Sequence, residues 1–199
     1  RHPDVKNLKR EIALISQEVN NLMTEEAKLK ISEEKPDNPA YINYPGENGQ
    51  VYYGEGIFVG YRYYDSVDQE VLFPFGHGLS YTSFEYRDLQ LSRSTITGQE
   101  SLTASLMIAN TGTVAGKEIV QVYVHAVHPT VFRPEKELKG FAKVELQPGE
   151  ETEIVIDLDR RAFSYYNTKI NGWVAEPGTY EILVGASSRD IRLHTALEV

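Results

Sequence analysis

Two glutamates, Glu47 and Glu55, lie in a run dense in glycine and tyrosine, "GENGQVYYGEGIFVGYRYYD". Paired carboxylates are what glycoside chemistry uses, one as nucleophile or base and one as proton donor, about 5–9.5 Å apart. A glycine-rich loop can aim such groups at a ligand, although most loop glutamates are solvated or bonded to nearby backbone. The histidines at 2, 77, 125, 128 and 194 have no metal-ligand spacing, and His125 and His128 fall near a strand end, where a solvated role is expected. Ser80 in "GHGLSYT" lacks the elbow pattern of a nucleophile. "GEGIFVG" contains G-x-G, but its third glycine comes one residue late for a dinucleotide fingerprint and no βαβ unit surrounds it. The chain has no cysteine, which rules out disulfides, zinc–thiolate sites and a cysteine nucleophile. No catalytic, cofactor-binding or metal-binding residue is therefore assigned.

The partners that composition permits are equally restricted. A formal net charge of -9 argues against a nucleic-acid backbone, which needs clustered Lys and Arg. The acidity reads as solubility. No apolar run approaches the ~20 residues of a membrane helix, and neither a signal peptide nor an N-x-[ST] glycosylation site is present. Starting at Arg1 rather than Met, the chain reads as a processed form or a piece.

Three regions must hold whatever the chain does. In residues 1–35, Val5, Leu8, Ile12, Ile15, Val19, Leu22 and Leu29 recur at alternating steps of three and four, with Glu26 interrupting. The spacing predicts an amphipathic helix with a heptad seam, capped by Asp4 and stopped by Pro36. That stripe suits either a coiled coil or a helix laid on its own domain. Residues 36–72 carry three prolines and five glycines, which permit only turns and short extended pieces. "PGENGQ" reads as a turn, and "IFVGYRYY" as a short strand broken at Gly60.

From residue 73 to 199 the pattern is β. "SLTASLMIAN" alternates Leu102, Ala104, Leu106 and Ile108 against Thr103, Ser105 and Met107. "EIVQVYVHAV" turns Val120, Val122 and Val124 inward and Gln121 and Tyr123 outward, while "QPGE" joins two further strands. Seven or eight short strands with Gly, Pro and Asn punctuation predict an antiparallel β-sandwich over about 84–197. Its expected core is Leu102, Leu106, Ile108, Val122, Val124, Ile154, Ile156, Ile182 and Val184, with Tyr123, Phe141, Trp173 and Tyr180 as its large residues.

The Gly/Tyr-rich run, "LFPFGHGLSYTSFEY" (72–86), "ELKGFAKVELQPGE" (137–150) and "EPGTYEILVGASSRDIRL" (176–193) together resemble the C-terminal part of family 3 glycoside hydrolases of the β-glucosidase type. The resemblance covers residues 37–199. It implies an enzyme built of a (β/α)8 barrel, an α/β domain and a fibronectin type III-like domain. Residues 36–72 would be the tail of the α/β domain, and 73–199 the mainly β, fibronectin III/immunoglobulin-like sandwich. The family's nucleophile and acid/base lie in regions that precede this stretch, and neither Glu47 nor Glu55 matches the acid/base motif. The chain then reads as a non-catalytic, domain-stabilising portion of a hydrolase acting on terminal β-D-glucosides, with the remaining domains as partners. Two alternatives stay open: a freestanding oligomeric interaction or carbohydrate-contact module, and a β-xylosidase or other exo-glycosidase as parent.

On this reading Tyr52, Tyr53, Phe58, Tyr61, Tyr63 and Tyr64 are amphipathic mortar between domains, burying ring area while their hydroxyls reach polar partners. His77, between Gly76 and Gly78, is expected to be structural at a tight bend. The seam from Val5 to Leu29 generates the first prediction, because an isolated helix of this length is marginal without a packing partner. Sedimentation of the intact chain should show self-association at micromolar concentration, and a version starting at Pro36 should run as a monomer. Two monomers at tens of micromolar would leave the helix to dock internally or fray.

Overall fold

The computed structural model describes residues 38–97 and 100–199. The expected N-terminal helix and its heptad seam lie outside the described residues. The chain divides into two compact units, with the break after Gly56.

The described part of the first unit is a chain of turns. Tyr41–Asn43 form a 3-10 turn. Glu47 and Gln50 then bridge across Asn48 and Gly49, both at positive φ, so "PGENGQ" is a turn as its composition requires.

Among the described residues, the second unit, Ile57–Val199, holds nine strands. They are β1 (Phe84–Leu91), β2 (Leu102–Asn110), β3 (Gly116–Ala126), β4 (Glu137–Leu146), β5 (Glu151–Leu158), β6 (Ser164–Asn167), β7 (Gly172–Ala175), β8 (Thr179–Gly185) and β9 (Ile191–Glu198). One sheet runs β1-β2-β5, the other β4-β3-β8-β9, and β6-β7 form a separate hairpin. Every strand pair is antiparallel. The expected mainly β, antiparallel sandwich is the observed architecture.

Period-2 alternation builds the core. On β2 every second residue from Leu102 to Asn110 is buried, and β5 alternates in step. All nine expected core residues are buried, joined by Tyr86, Ile96, Leu158, Phe163 and Leu197. The two sheets approach closely at Gly140, where a Cβ atom would meet Ile156 Cγ2 at 2.5 Å. Asn110 is the one buried amide at the end of β2. Its Nδ2 donates to the carbonyls of Val114 and Leu146, and its Oδ1 accepts from Thr82 and Gly112, so the corner keeps its polar groups bonded.

Four expectations fail here. Gln121 and Tyr123 do not face outward: both are buried, because β3 is covered on its second face as well. The cover is the segment before β1. Tyr61 meets the Tyr123 ring edge-on at 5.9 Å and stacks on Phe75, and the Tyr123 hydroxyl donates to Gln121 Oε1 at 2.6 Å. Trp173 is not core but half exposed on β7, since the β6-β7 hairpin stands outside both sheets. Phe141 is exposed, as β4 is an edge strand and alternation turns this side chain away from the facing sheet. "IFVGYRYY" is no strand: Tyr61–Tyr64 make one α-helical turn, α1, entered through Gly60 at positive φ.

Ile156 and its neighbour Val155 test the register directly. Ile156 is buried and Val155 is 56% exposed. Truncating Ile156 to Ala should cost about 2–5 kcal/mol in denaturant unfolding, whereas Val155→Ala should fall within about 0.5 kcal/mol. Equal costs would mean the register is wrong.

Candidate functional site

Glu47 and Glu55 are held by local contacts within the turns. Glu55 Oε2 accepts from Asn43 Nδ2 at 2.8 Å, and Glu47 is exposed, its backbone closing the turn with Gln50. The histidines do not converge. His125 sets its Nδ1 against the Glu135 carbonyl, while His128 and His194 are exposed. His77 stacks on Phe73 with ring centroids 5.3 Å apart, and its N–H donates to the Pro74 carbonyl, closing the bend. Near this bend the Asp190 carboxyl is held below its ordinary range, chiefly by its bond to Arg192. Ser80 is exposed. Among the described residues no group of three His, Cys, Asp or Glu side chains could hold a metal ion. His2 lies outside the described residues.

Where charge does concentrate, the arrangement is a clamp. The loop after β3 and the start of β4 bring Arg133, Glu137 and Lys139 together, and α1 adds Arg62. Glu137 Oε2 receives Arg133 Nη2 at 3.0 Å and Lys139 Nζ at 3.3 Å, while Oε1 faces Arg62 Nη2 at 3.5 Å. Arg133 also donates to the Phe163 carbonyl at 3.1 Å. Burial pushes the Glu137 carboxyl up, but Lys139, Arg133 and Arg62 together outweigh it and hold it below the usual carboxylate range. Burial lowers the Lys139 ammonium, and Glu137 offsets part of that. A carboxylate kept ionised among three cations is not a proton donor near neutral pH; it is an anchor.

A second anchor joins α1 to the end of the sandwich. Asp65 Oδ1 receives Arg189 Nε at 2.7 Å, and its Oδ2 lies 3.3 Å from Lys136 Nζ. Arg189 Nη2 also donates to the carbonyls of Tyr64 and Gln69. Around these pairs the backbone is pinned at four points. Leu138 N–H donates to the Tyr61 hydroxyl, Glu135 N–H to Ser66 Oγ, Ser188 N–H to the Phe75 carbonyl, and Gln121 Nε2 to the Gly76 carbonyl. Gly76 comes so near Gln121 that a Cβ atom would sit 2.2 Å from its Oε1.

Beyond the clamp the chain presents bare apolar surface. Leu72 is 85% exposed, Leu79 93% and Tyr81 fully, with Phe73 and Phe75 between them. Sequence reasoning missed the clamp. Arg133 and Glu137 are four apart without a helix to bring them together, and Asp65 and Arg189 are distant in sequence. The only signal was the density of charge in "RPEKELKG".

Fold and site thus define a fibronectin III-type sandwich that holds an upstream segment against one sheet. Comparison with known proteins carries this to a family. Residues 118–188 match the fibronectin type III-like domain family. The chain is 54% identical over 162 residues to thermostable beta-glucosidase B of Acetivibrio thermocellus, covering 81% of this chain and 22% of that one. It is 50% identical to an exo-α-(1→6)-L-arabinopyranosidase of Bifidobacterium breve over 78% of this chain and 20% of that protein. The crystal structure of a family 3 β-glucosidase from Bifidobacterium adolescentis superposes with TM-score 0.78 at 47% identity, covering 82% of this chain and 24% of that one. The chain belongs to the family 3 glycoside hydrolases of the β-glucosidase type, as their C-terminal portion. It spans about a fifth of the length of the curated relatives it matches.

The clamp makes a prediction with a definite sign. Glu137→Gln leaves Arg133 and Lys139 without their counter-charge and should cost about 3–5 kcal/mol near neutral pH. The folded pKa of Glu137 lies below its unfolded value, so its contribution is complete above about pH 4.3 and is lost as pH falls through the folded value. Thermal melts should show a wide gap between wild type and variant at neutral pH that narrows in acid. A gap independent of pH would remove the charge from the explanation.

Proposed function

We propose that this chain is the architectural C-terminal module of a glycosidase that hydrolyses terminal β-D-glucosides. Residues 36–72 serve as the tail of its α/β domain and 73–199 as its fibronectin III-like domain. The supporting observation is the apolar strip Leu72–Tyr81. Patches of this kind mark contact surfaces, and the occupant we assign is the remainder of the hydrolase. The clamp beside it fixes the direction in which the chain enters the sandwich, so burying the strip orients one domain on the next. On this reading the catalytic carboxylates are supplied by the other domains.

A second reading of the parent's substrate has its own support. A relative named as an arabinopyranosidase is nearly as similar to this chain as one named as a β-glucosidase. The module is then compatible with several exo-glycosidases, and its sequence does not select the sugar. Self-association through the Val5–Leu29 seam is a further part of the proposal, supported by heptad spacing alone.

The strip is tested in two settings. In the isolated chain, Leu79→Ser with Tyr81→Ser should reduce binding of a dye specific for exposed apolar surface, with little loss of thermal stability. In the full-length hydrolase the same pair should lower the melting temperature while leaving the Michaelis constant for aryl β-glucosides unchanged. Unaltered melting of the full-length variant would show that nothing covers the strip.

A further inference from the structure

The β6-β7 hairpin has no part in the clamp, yet it carries the chain's only tryptophan half in water. Trp173 and Tyr166 stand opposite each other in register, meeting edge to face at 5.5 Å, and each leaves about half its surface exposed. The Arg161 guanidinium lies over the indole at 4.0 Å. These groups line one end of a groove of about 1340 Å3 that continues past Arg62, Arg133, Glu137 and Lys139 of the clamp. That exceeds the roughly 300–1,000 Å3 of a small-molecule site, so it suits an extended ligand rather than a single ring.

Polar groups are interleaved with the aromatics. Asp157 and Asp159 offer carboxylate acceptors along the groove, and Arg161 and Lys169 offer donors. Asp159 also caps the following 3-10 turn by accepting from Ala162 N–H, and Asn167 accepts from Lys169 N–H, so these side chains are held in place. The centre of a protein–protein contact is depleted in charge, whereas this groove alternates both signs with rings. A sugar chain has the matching surface: C–H faces that lie on aromatic rings, and hydroxyls that both donate and accept. Planar rings supply such contact area at low conformational cost.

We propose that the hairpin groove binds carbohydrate, and that its ligand is an extended β-linked glucosyl chain. The choice of glucose rests on the reading of the parent as a β-glucosidase; the choice of a sugar chain rests on the groove. Because Trp173 is the only tryptophan, its fluorescence reports occupancy in the 199-residue chain as it stands. Titration with cellohexaose, laminarihexaose and xylohexaose should give a saturable spectral shift for a glucan, with a dissociation constant on the order of 1 mM. Tyr166→Ala should weaken binding about fivefold, and Lys169→Ala should weaken it as well. Trp173→Ala, followed by calorimetry, should lose the heat of binding. Thermal melts of all three variants establish that they fold. Saturation by xylohexaose in place of both glucans would support the groove and overturn the β-glucoside reading. No shift with any of the three sugars would overturn the inference, as would a shift unchanged in folded Tyr166→Ala and Lys169→Ala.

Discussion

Strand β3 is buried on both faces, and much else in the second unit follows from that. Val120 to Val124 are all nearly inaccessible, two of them polar or amphipathic. One face meets the opposing sheet; the other cannot be left to water, because Tyr123 carries a large ring with nowhere else to go. Burial pushes its phenol well above the ordinary range, so the hydroxyl stays protonated and must donate, and Gln121 is placed to accept. Gln121 in turn needs partners for its amide and finds them in the Gly76 and Ala186 carbonyls. The segment before β1 is thereby required over β3. Its glycine at position 76 is a consequence, since any side chain there would collide with Gln121.

Charge then decides how that segment lies. Hydrophobic contact between Tyr61, Phe75 and Tyr123 favours coverage but has no direction. The two ion clusters, Glu137 with its three cations and Asp65 with two, specify one arrangement. Such pairs add little net stability over an apolar replacement, because removing the charges from water costs nearly what their attraction returns. Breaking one is a different matter, since it strands its partners. The clamp therefore penalises every alternative docking of this segment more than it stabilises this one.

The sandwich was legible because its signal is local. Leu102, Leu106 and Ile108 alternate with polar residues, and alternation has one meaning when a single face is buried. The same rule misread Gln121 and Tyr123, because nothing in "VQVYV" announces a second layer contributed from some 50 residues upstream. Trp173 and Phe141 failed for the opposite reason. Large aromatics are usually buried, but a two-stranded hairpin and an edge strand have fewer layers over them than size alone suggests. At the clamp, residue types were visible and their meetings were not, since Asp65 and Arg189 come together only through the completed fold.

These two kinds of information bear on why this chain resembles relatives named for different sugars. A two-face constraint on β3 acts on particular positions: the glycine beside Gln121, the aromatics of α1, and the charged run entering β4. None of these is chemistry toward a sugar. A relative named for glucosides and one named for arabinopyranosides can each match this chain over about four-fifths of its length, at 54% and 50% identity. Within this chain the requirement that the clamp meets is geometric, to bring a segment onto the sandwich at one angle and hold it there. Each cation of the clamp is committed to a carboxylate or a carbonyl within the fold, so the clamp's charges answer to one another rather than to a sugar.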